Sequence, residues 1–409
     1  MTLLLGIETS CDETAAAVVE DGCVVRASVV ATQHELHEPY GGVVPEIASR
    51  AHIERIAPTV RAAIHEAGVT WQHLDAIAVG NRPGLIGSLV VGVSAAQSLA
   101  WSLGLPLIGV DHVAAHLAAA RLRDPLTTPS PASDCGAGPP VTSDVHGNAG
   151  PAFTCGASSE KCHSRENAAR SPASDCGAQP PDTQAHALGL VVSGGHTSLY
   201  HLHAGPMTRL GSTIDDAVGE AFDKAAVILG LGYPGGPAIE RAAATGDPDA
   251  VAFPRSMLGK GSLDFSFSGL KTALLYAVRG KPSRPSKDAE TVFERDFTAI
   301  TPQQRSDLAA SFQAAAVDAV IRKLERALRH LENVGQPAAA VVAGGGVTAN
   351  SHLRQRLETL AESESLPLHL PDMAYCVDNA AMIAAAGHDR FTRGEADDFG
   401  LPALATGSV

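Results

Sequence analysis

The stretch Leu3-Leu4-Leu5-Gly6-Ile7-Glu8-Thr9-Ser10-Cys11-Asp12-Glu13-Thr14-Ala15-Ala16-Ala17-Val18-Val19 decides the fold. Leu3 to Ile7 is short, apolar and uninterrupted, as a strand buried on both faces should be, and Thr14 to Val19 reads the same way. Between them runs a turn, Glu8 to Glu13, made of hydroxyls and carboxylates. Asp21-Gly22 is a tight hairpin turn, because both residue types tolerate positive φ, and Cys23 to Ala31 follows as a third strand. The chain therefore opens on an antiparallel three-strand meander with a polar first turn.

Outward from the meander, Pro45 to Ala67 has a helical period in Ile47, Ile53, Ile56, Val60 and Ile64, ended by Gly68. Asp75 to Val79 is a strand, Gly80 to Gly84 a turn, and an uncharged helix runs on to about Leu103. Pro106 to Val110 is the next strand, and a helix from Val113 to about Arg123 follows. The second half opens the same way: strand Ala187 to Val192, turn Ser193-Gly194-Gly195-His196, strand Thr197 to His201. A helix then ends near Leu229, Gly230 to Pro237 is a glycine-proline loop, and Gly269 to Val278 is a helix. Lys281 to Arg305 is a polar surface excursion, and Asp307 to Leu331 is a long amphipathic helix. Strand Ala338 to Val342, helix Asn350 to Glu362, strand Pro367 to Leu370 and helix Asn379 to Gly387 complete the pattern. Two mixed α/β lobes, each opening on a hairpin with a polar turn, have the plan of the actin, Hsp70 and sugar-kinase architecture. Fold analogy alone does not give function.

Between the lobes, Asp124 to His186 is rich in Pro, Gly, Ser, Ala and Asp and repeats Ser130-Pro-Ala-Ser-Asp-Cys-Gly-Ala as Ser171-Pro-Ala-Ser-Asp-Cys-Gly-Ala. Such a composition buries too little apolar surface to offset its ordering entropy, so a disordered insertion is expected. Its Cys135, Cys155, Cys162 and Cys176, beside His146 and His163, match no standard zinc spacing. The expected domains are 1–123 as the N-terminal lobe, completed by a C-terminal helix at about 376–400, then 124–186 as the insertion and 187–375 as the C-terminal lobe.

The formal charge of −14 argues against a protein that wraps nucleic acid by itself. Seven cysteines without CxxC pairs point to reduced thiols in the cytoplasm. Glu8 interrupts the N-terminal apolar run, so no signal peptide is expected. Leu85 to Val110 carries no charge, but its Gly, Ser, Gln and Pro residues favour a buried helix and strand over a membrane span.

Candidate chemistry gathers at the turns. His112 and His116 are four apart where a strand runs into a helix, which places both imidazoles on one helical face. Chance alone gives roughly 0.7 such pairs among 17 histidines, so spacing needs context. Asp378, at the start of a later helix, either caps that helix or supplies an oxygen ligand. Two imidazoles and one carboxylate suit a catalytic metal with open positions. Val113 stands where a zinc peptidase carries its general-base Glu, so the pair does not support a peptidase. Ser193-Gly194-Gly195 and Ala343-Gly344-Gly345-Gly346 each follow a strand and can bring backbone N–H groups close to a phosphate. Gly232-Tyr233-Pro234-Gly235-Gly236-Pro237 reads as a rigid loop over a base or ribose. Asp12 and Glu13 can handle protons or stabilise a turn.

Gly6-Ile-Glu-Thr-Ser-Cys-Asp-Glu-Thr, Tyr40-Gly-Gly-Val-Val-Pro-Glu-Ile-Ala-Ser-Arg, Asp111-His-Val-Ala-Ala-His, Val192-Ser-Gly-Gly-His-Thr, Asp215-Asp-Ala-Val-Gly-Glu-Ala-Phe-Asp-Lys, Tyr233-Pro-Gly-Gly-Pro, Phe265-Ser-Phe-Ser-Gly-Leu-Lys-Thr, Gly344-Gly-Gly-Val-Thr-Ala-Asn and Cys376-Val-Asp-Asn-Ala-Ala-Met-Ile together resemble the TsaD family of bacterial tRNA N6-adenosine threonylcarbamoyltransferases. The resemblance spans nearly all the chain except the insertion. It implies transfer of threonylcarbamoyl from threonylcarbamoyl-adenylate to the exocyclic amine of the adenosine beside the tRNA anticodon, with release of AMP. It also implies one divalent metal per subunit, Fe2+ in preference to Zn2+, on His112, His116 and Asp378. Val191, Val192, Ser193, Gly194, Gly195, Asp223, Gly236, Glu240 and Asn350 would bind the adenylate, and Asp12 and Glu13 are the catalytic candidates. Helper proteins of the TsaB and TsaE types are the implied partners, with no membrane. Arg82 departs from the family's usual Gly, which points to an altered lobe contact rather than an altered metal site.

Two other readings fit the fold: a non-catalytic scaffold subunit and a sugar or acetate kinase. A scaffold has no use for a metal triad, and the N-terminal turn lacks the basic or amide-rich grip of a kinase.

Overall fold

The computed structural model describes residues 1–40, 42–125, 186–204, 207–256, 258–259, 261–283 and 300–407. They belong to the compact unit formed by Met1–Pro125 with Ala178–Val409. The expected disordered insertion, with its four cysteines, lies outside the described residues except at its two ends, as does most of the excursion between 281 and 305.

The opening stretch forms β1 (Leu3–Glu8), β2 (Glu13–Glu20) and β3 (Val24–Thr32), an antiparallel meander. After a short helix, α1 (His34–His37), come α2 (Pro45–Glu66), β4 (Ala76–Arg82), α3 (Ile86–Leu103), β5 (Leu107–Asp111) and α4 (His112–Ala118). The strand order is β3-β2-β1-β4-β5, with β4 and β5 parallel to β1. The second half repeats this plan. β6 (Ala187–Val192), β7 (Thr197–Leu202) and β8 (Thr208–Ser212) make a meander, followed by α5 (Val218–Leu229), α6 (Gly235–Ala243), α7 (Ser268–Arg279) and α8 (Pro302–Asn333). β9 (Val341–Gly344), α9 (Ser351–Ser363), β10 (Leu368–His369) and α10 (Ala380–Thr392) close the chain, and the sheet order is β10-β9-β6-β7-β8.

The strand period of two sorts the first sheet's side chains between two cores. Leu3, Leu5, Ile7, Ile77 and Val79 pack under α2 and α3 with Ile56, Val60 and Val93. Leu4, Ala76, Ala78, Ile108 and Val110 face Ala380, Met382, Ile383 and Ala384 of α10 and Ala115 of α4. The last helix thus packs on the first sheet. In the second half, Phe312 of α8 is fully buried and meets Phe222 and Phe253 edge-on, with ring centroids 5.6 and 6.5 Å away. Phe312→Ala removes both aromatic contacts and leaves a cavity, so thermal or chemical unfolding should report a loss of about 3–5 kcal/mol.

Four expectations change. α3 is not a wholly buried helix: Leu89, Val93 and Ala96 face the core while Ile86, Val90 and Trp101 are exposed. By length and composition it is long and apolar enough to cross a membrane. β8 has no expected counterpart, because an edge strand with Thr208 and Arg209 exposed carries little apolar pattern. The glycine-proline loop yields at Gly235 to α6, since Pro237 falls in the first turn, where its missing N–H breaks no helical bond. Of the described cysteines, Cys11 and Cys376 are free thiols, and α8 starts at Pro302 rather than at Asp307, because Thr301 caps it by accepting from Gln304 N–H.

Candidate metal centre

α4 begins where Asp111 ends β5. The Asp111 side chain accepts from the N–H groups of Val113 and Ala114, at 3.0 and 3.2 Å, and so starts the helix at His112. One turn later His116 follows on the same face. Val113 and Leu117, on another face, pack against Val191, Tyr200 and Val342 of the second half. α4 therefore joins the two halves, with its histidines pinned between them.

Asp378 completes the group. It precedes α10, and the neighbouring Asn379 takes the capping role by accepting from Met382 N–H at 3.0 Å. The capping reading of Asp378 is thus replaced, and its carboxylate is left for other work. Its Oδ1 lies 3.6 Å from His112 Nε2 and 3.3 Å from His116 Nε2. One ligand atom from each residue falls within 4.8 Å of the others, the spacing that a single ion requires.

Three observations test the fit of a cation. His116 is fully buried, yet neither ring nitrogen has an aligned hydrogen bond, which is unusual for a buried imidazole. His112 presents Nε2 to Asp378 while Nδ1 lies 3.2 Å from Glu8 Oε2 and 3.2 Å from Ser10 Oγ. An outer carboxylate behind a ligating imidazole fixes its tautomer and raises its basicity. Two imidazoles and one carboxylate are borderline ligands suited to Zn2+ or Fe2+. The residues fit.

Glu8, which stands behind this group, is a residue that sequence reading passed over. It is fully buried at the end of β1 and accepts from Ser10 N–H at 2.5 Å. Gly80 on the neighbouring β4 makes its place: a Cβ there would stand 2.6 Å from Glu8 Oε2. A lone carboxylate closing an otherwise apolar strand was the signal. Glu8→Gln should weaken cation binding about 10- to 100-fold, as losses of outer-shell partners do; unchanged affinity in a metal titration would remove Glu8 from this role.

Charge follows the same geometry. Burial disfavours charge on His112, but Asp378 and Glu8 outweigh it and hold the ring up to about 9. Burial alone would raise Asp378; His112 and His116 overcome it and keep the carboxyl well below its usual range. His112 therefore carries a proton at neutral pH until a cation displaces it. Cation affinity should climb about tenfold per pH unit from roughly 7 to 9 and then level off. A flat profile in pH-dependent titrations would contradict this charge state. His196, whose ring centroid is 6.5 Å from that of His112, is pushed down to about 4 by burial and then by His112 and His116.

The glycine turns meet this group. A Cβ on Gly344 would stand 2.0 Å from the His116 carbonyl oxygen, so β9 ends directly against α4. The β6 turn, with Val191 and Val192 in the strand and Ser193 after it, abuts Gly345, while Gly194, Gly195, Gly236 and Gly346 face open space. Asp223 Oδ1 accepts from Gly235 N–H at 2.8 Å, which ties α5 to α6. Glu240 Oε1 accepts from the N–H and hydroxyl of Ser351, at 2.8 and 2.5 Å, and Asn350 caps α9 by accepting from Leu353 N–H. Glu240 and Asn350 thus already have partners within the fold.

The first turn is held by α2: His52 Nε2 donates to the Cys11 carbonyl, and Thr14 Oγ1 donates to its Nδ1 at 2.8 Å. Burial, then Asp12 and Asp378, push Glu13 up to about 9. A group with its proton held that firmly is a better donor than base. Asp215 accepts from Ser266, Phe267 and Ser268, and Asp216 pairs with Lys224 and Lys271. Those two motifs brace the fold rather than reach the metal group. Arg82 Nε lies 3.7 Å from Asp111 Oδ2, so its substitution for Gly touches the α4 cap and none of the three ligands.

A family model described as tRNA N6-adenosine threonylcarbamoyltransferase, TsaD, matches residues 24–134 and 175–385. The enzyme of that name from Syntrophobacter fumaroxidans is 44% identical over 393 residues, which cover 96% of this chain and 95% of that one. The one from Trichlorobacter lovleyi is 43% identical over 405 residues, with 99% and 96% covered. Among solved structures, HypF from T. kodakarensis has a TM-score of 0.53 at 13% identity, covering 96% of this chain and 48% of that one. Full-length HypF in its phosphate- and nucleotide-bound form gives 0.50 at 12% identity, with 99% and 47% covered. These two likenesses concern the fold alone.

Proposed function

Since the chain belongs to the TsaD family of tRNA N6-adenosine threonylcarbamoyltransferases, we propose that its centre at His112, His116 and Asp378 holds one divalent cation and serves that transfer. The protein is a transferase acting on tRNA adenosine. The donor in this reading is threonylcarbamoyl-adenylate, the acceptor is the N6 amine of the adenosine next to the anticodon, and AMP leaves. The observation that carries it is the His112, His116 and Asp378 trio, the Glu8 carboxylate behind His112, and the open glycine turns beside α4.

A bound cation, Fe2+ in preference to Zn2+, would polarise the carbamoyl carbonyl as a Lewis acid. The chain's own residues supply the rest. The N–H groups of Gly194 and Gly195 would cradle the AMP phosphate, where no side chain intrudes, while Ser193 N–H donates to the His196 carbonyl and holds the turn closed. Val191 and Val192 hold that turn against the second core. Asp223, Gly236, Glu240 and Asn350 form the side on which the nucleoside lies. The N6 amine is a weak nucleophile, because its lone pair is delocalised into the purine, so alignment with the carbonyl and removal of its proton both matter. Asp12 is the better candidate to accept the amine's proton, and Glu13, protonated, to hydrogen-bond the donor.

The lobes in this reading are 1–123 with 376–400, and 187–375. TsaB-type and TsaE-type helpers would supply the basic surface that a chain of charge −14 lacks, in the cytoplasm. No observation favours a scaffold subunit. The test is purified protein with threonylcarbamoyl-adenylate, tRNA and helper proteins, followed by mass spectrometry of the digested nucleosides. Threonylcarbamoyladenosine at the anticodon-adjacent position is the expected product; its absence with the complete mixture sinks the assignment.

A further inference from the structure

One aromatic contact joins the two halves beside the first turn. Tyr233, in the loop before α6, stacks on His34 of α1, with ring centroids 5.0 Å apart and planes 9° from parallel. Each ring is held from its own side. Gln33 N–H donates to the Asp12 carbonyl at 3.1 Å, and His34 N–H donates to Thr32 Oγ1 at 3.2 Å, so α1 starts directly on the carboxylate turn. His37, one turn later, is buried and accepts from Val44 N–H at 3.2 Å. Tyr233 sits between Gly232, whose φ of +85° favours glycine, and Gly235, where a Cβ would stand 2.3 Å from Asp223 Cα.

Charge locates the Tyr233 ring further. Burial, then the nearby Asp223 and Asp12, push its hydroxyl up to about 12. The side chain therefore stands in the field of both Asp223, on the nucleoside side, and the first turn, where the amine's proton is to be taken up. Tyr233 is nevertheless 41% exposed and His34 is half-buried, so the pair is not a core contact. An enzyme that does chemistry on a base draws that base out of its stack. Aromatic side chains, histidine among them, replace the stacking that a splayed-out RNA base has lost.

We propose that the His34–Tyr233 stack is the platform for the acceptor adenine of tRNA, which lies against the exposed Tyr233 ring with its N6 amine toward Asp12. This rests on the transfer reading of the site. The donor nucleoside keeps to Asp223, Gly236, Glu240 and Asn350. The platform draws one ring from each half of the chain, Tyr233 from the second and His34 behind it from the first. The acceptor base is therefore seated only when the two halves hold this spacing.

The probe is an anticodon stem-loop RNA with 2-aminopurine in place of the adenine beside the anticodon, mixed with full-length protein and helper proteins. 2-Aminopurine lacks the N6 amine, so its fluorescence reads stacking without transfer. The bound probe should be dimmer with the parent than with Tyr233→Leu, which keeps apolar bulk without a ring, and Tyr233→Phe should restore the quenching. With unmodified tRNA, Tyr233→Leu should raise the KM for tRNA about 5- to 150-fold, the worth of one base–aromatic stack. AMP affinity should not change, and Tyr233→Phe should recover most of the loss. His34→Ala, which withdraws the backing ring, should raise the same KM by less. Equal quenching by the parent and Tyr233→Leu overturns the proposal. Loss of AMP affinity with an unaltered KM for tRNA overturns it too, and assigns the ring to the donor. A parent that quenches the probe but makes no threonylcarbamoyladenosine counts against the transfer reading and leaves the platform standing.

Discussion

Replacing His112 and His116 together with Ala is expected to abolish cation retention and to cut threonylcarbamoyl transfer by about a thousandfold or more. The size follows from the chemistry: Lewis-acid assistance is worth several kcal/mol, and each 1.4 kcal/mol is a factor of about ten in rate. Folding should survive, because Val113 and Leu117 anchor α4 on the second half and Asp111 caps it. The fold still feels the change. Asp378 keeps its charge through those imidazoles, and without them its buried carboxyl rises into or above the ordinary range. Stability of the double variant should therefore lose the contribution that Asp378 makes above its ordinary carboxyl range. Atomic emission and nucleoside mass spectrometry read the two main effects, and full transfer by the double variant would end the metal assignment. Asp378→Asn makes a graded companion: it keeps the shape, removes the charge and should weaken retention with less damage.

The second large effect is expected at Gly344, where β9 ends against α4. Gly344→Val places a Cβ about where the His116 carbonyl oxygen stands, since that separation would be 2.0 Å. Backbone cannot swing aside as the tip of a flexible side chain can. Either β9 retreats from α4 or α4 shifts and carries His116 off its ligand position. The cost should reach about 3 kcal/mol or more, the upper end for overpacking, with cation affinity falling alongside stability. A drop in melting temperature without weaker metal binding would place the strain in β9 instead of the helix. A variant as stable as the parent would show that the close approach is not required.

Much of the molecule was legible in the chain itself. The meander of Leu3 to Ala31 and its repeat from Ala187 fixed the two-sheet plan, because buried strands announce themselves as short apolar runs between polar turns. α8 was readable too, although Thr301 and Pro302 start it earlier than its apolar period suggests. β8 was not, since an edge strand needs hydrogen-bond partners more than apolar side chains. Nor was α6, where prolines in a first turn imitate a loop. At the site, the spacing of His112 and His116 was visible as one helical face. The choice for Asp378 between cap and ligand was not, because it rests on which of two neighbouring side chains reaches Met382 N–H. Asn379 does.

The sequence by itself determined the fold class, the family motifs and the two imidazoles, all set by local period, turn chemistry or ordered short patterns. Only the tertiary structure decided that Glu8 stands behind His112, that Gly344 seats α4, and that Asp378 joins the two histidines. Each of these depends on residues distant in the chain whose separation is fixed by sheet register and helix docking. Local pattern carries no information about such distances; they exist only once the two sheets have formed and α4 and α10 have packed upon them.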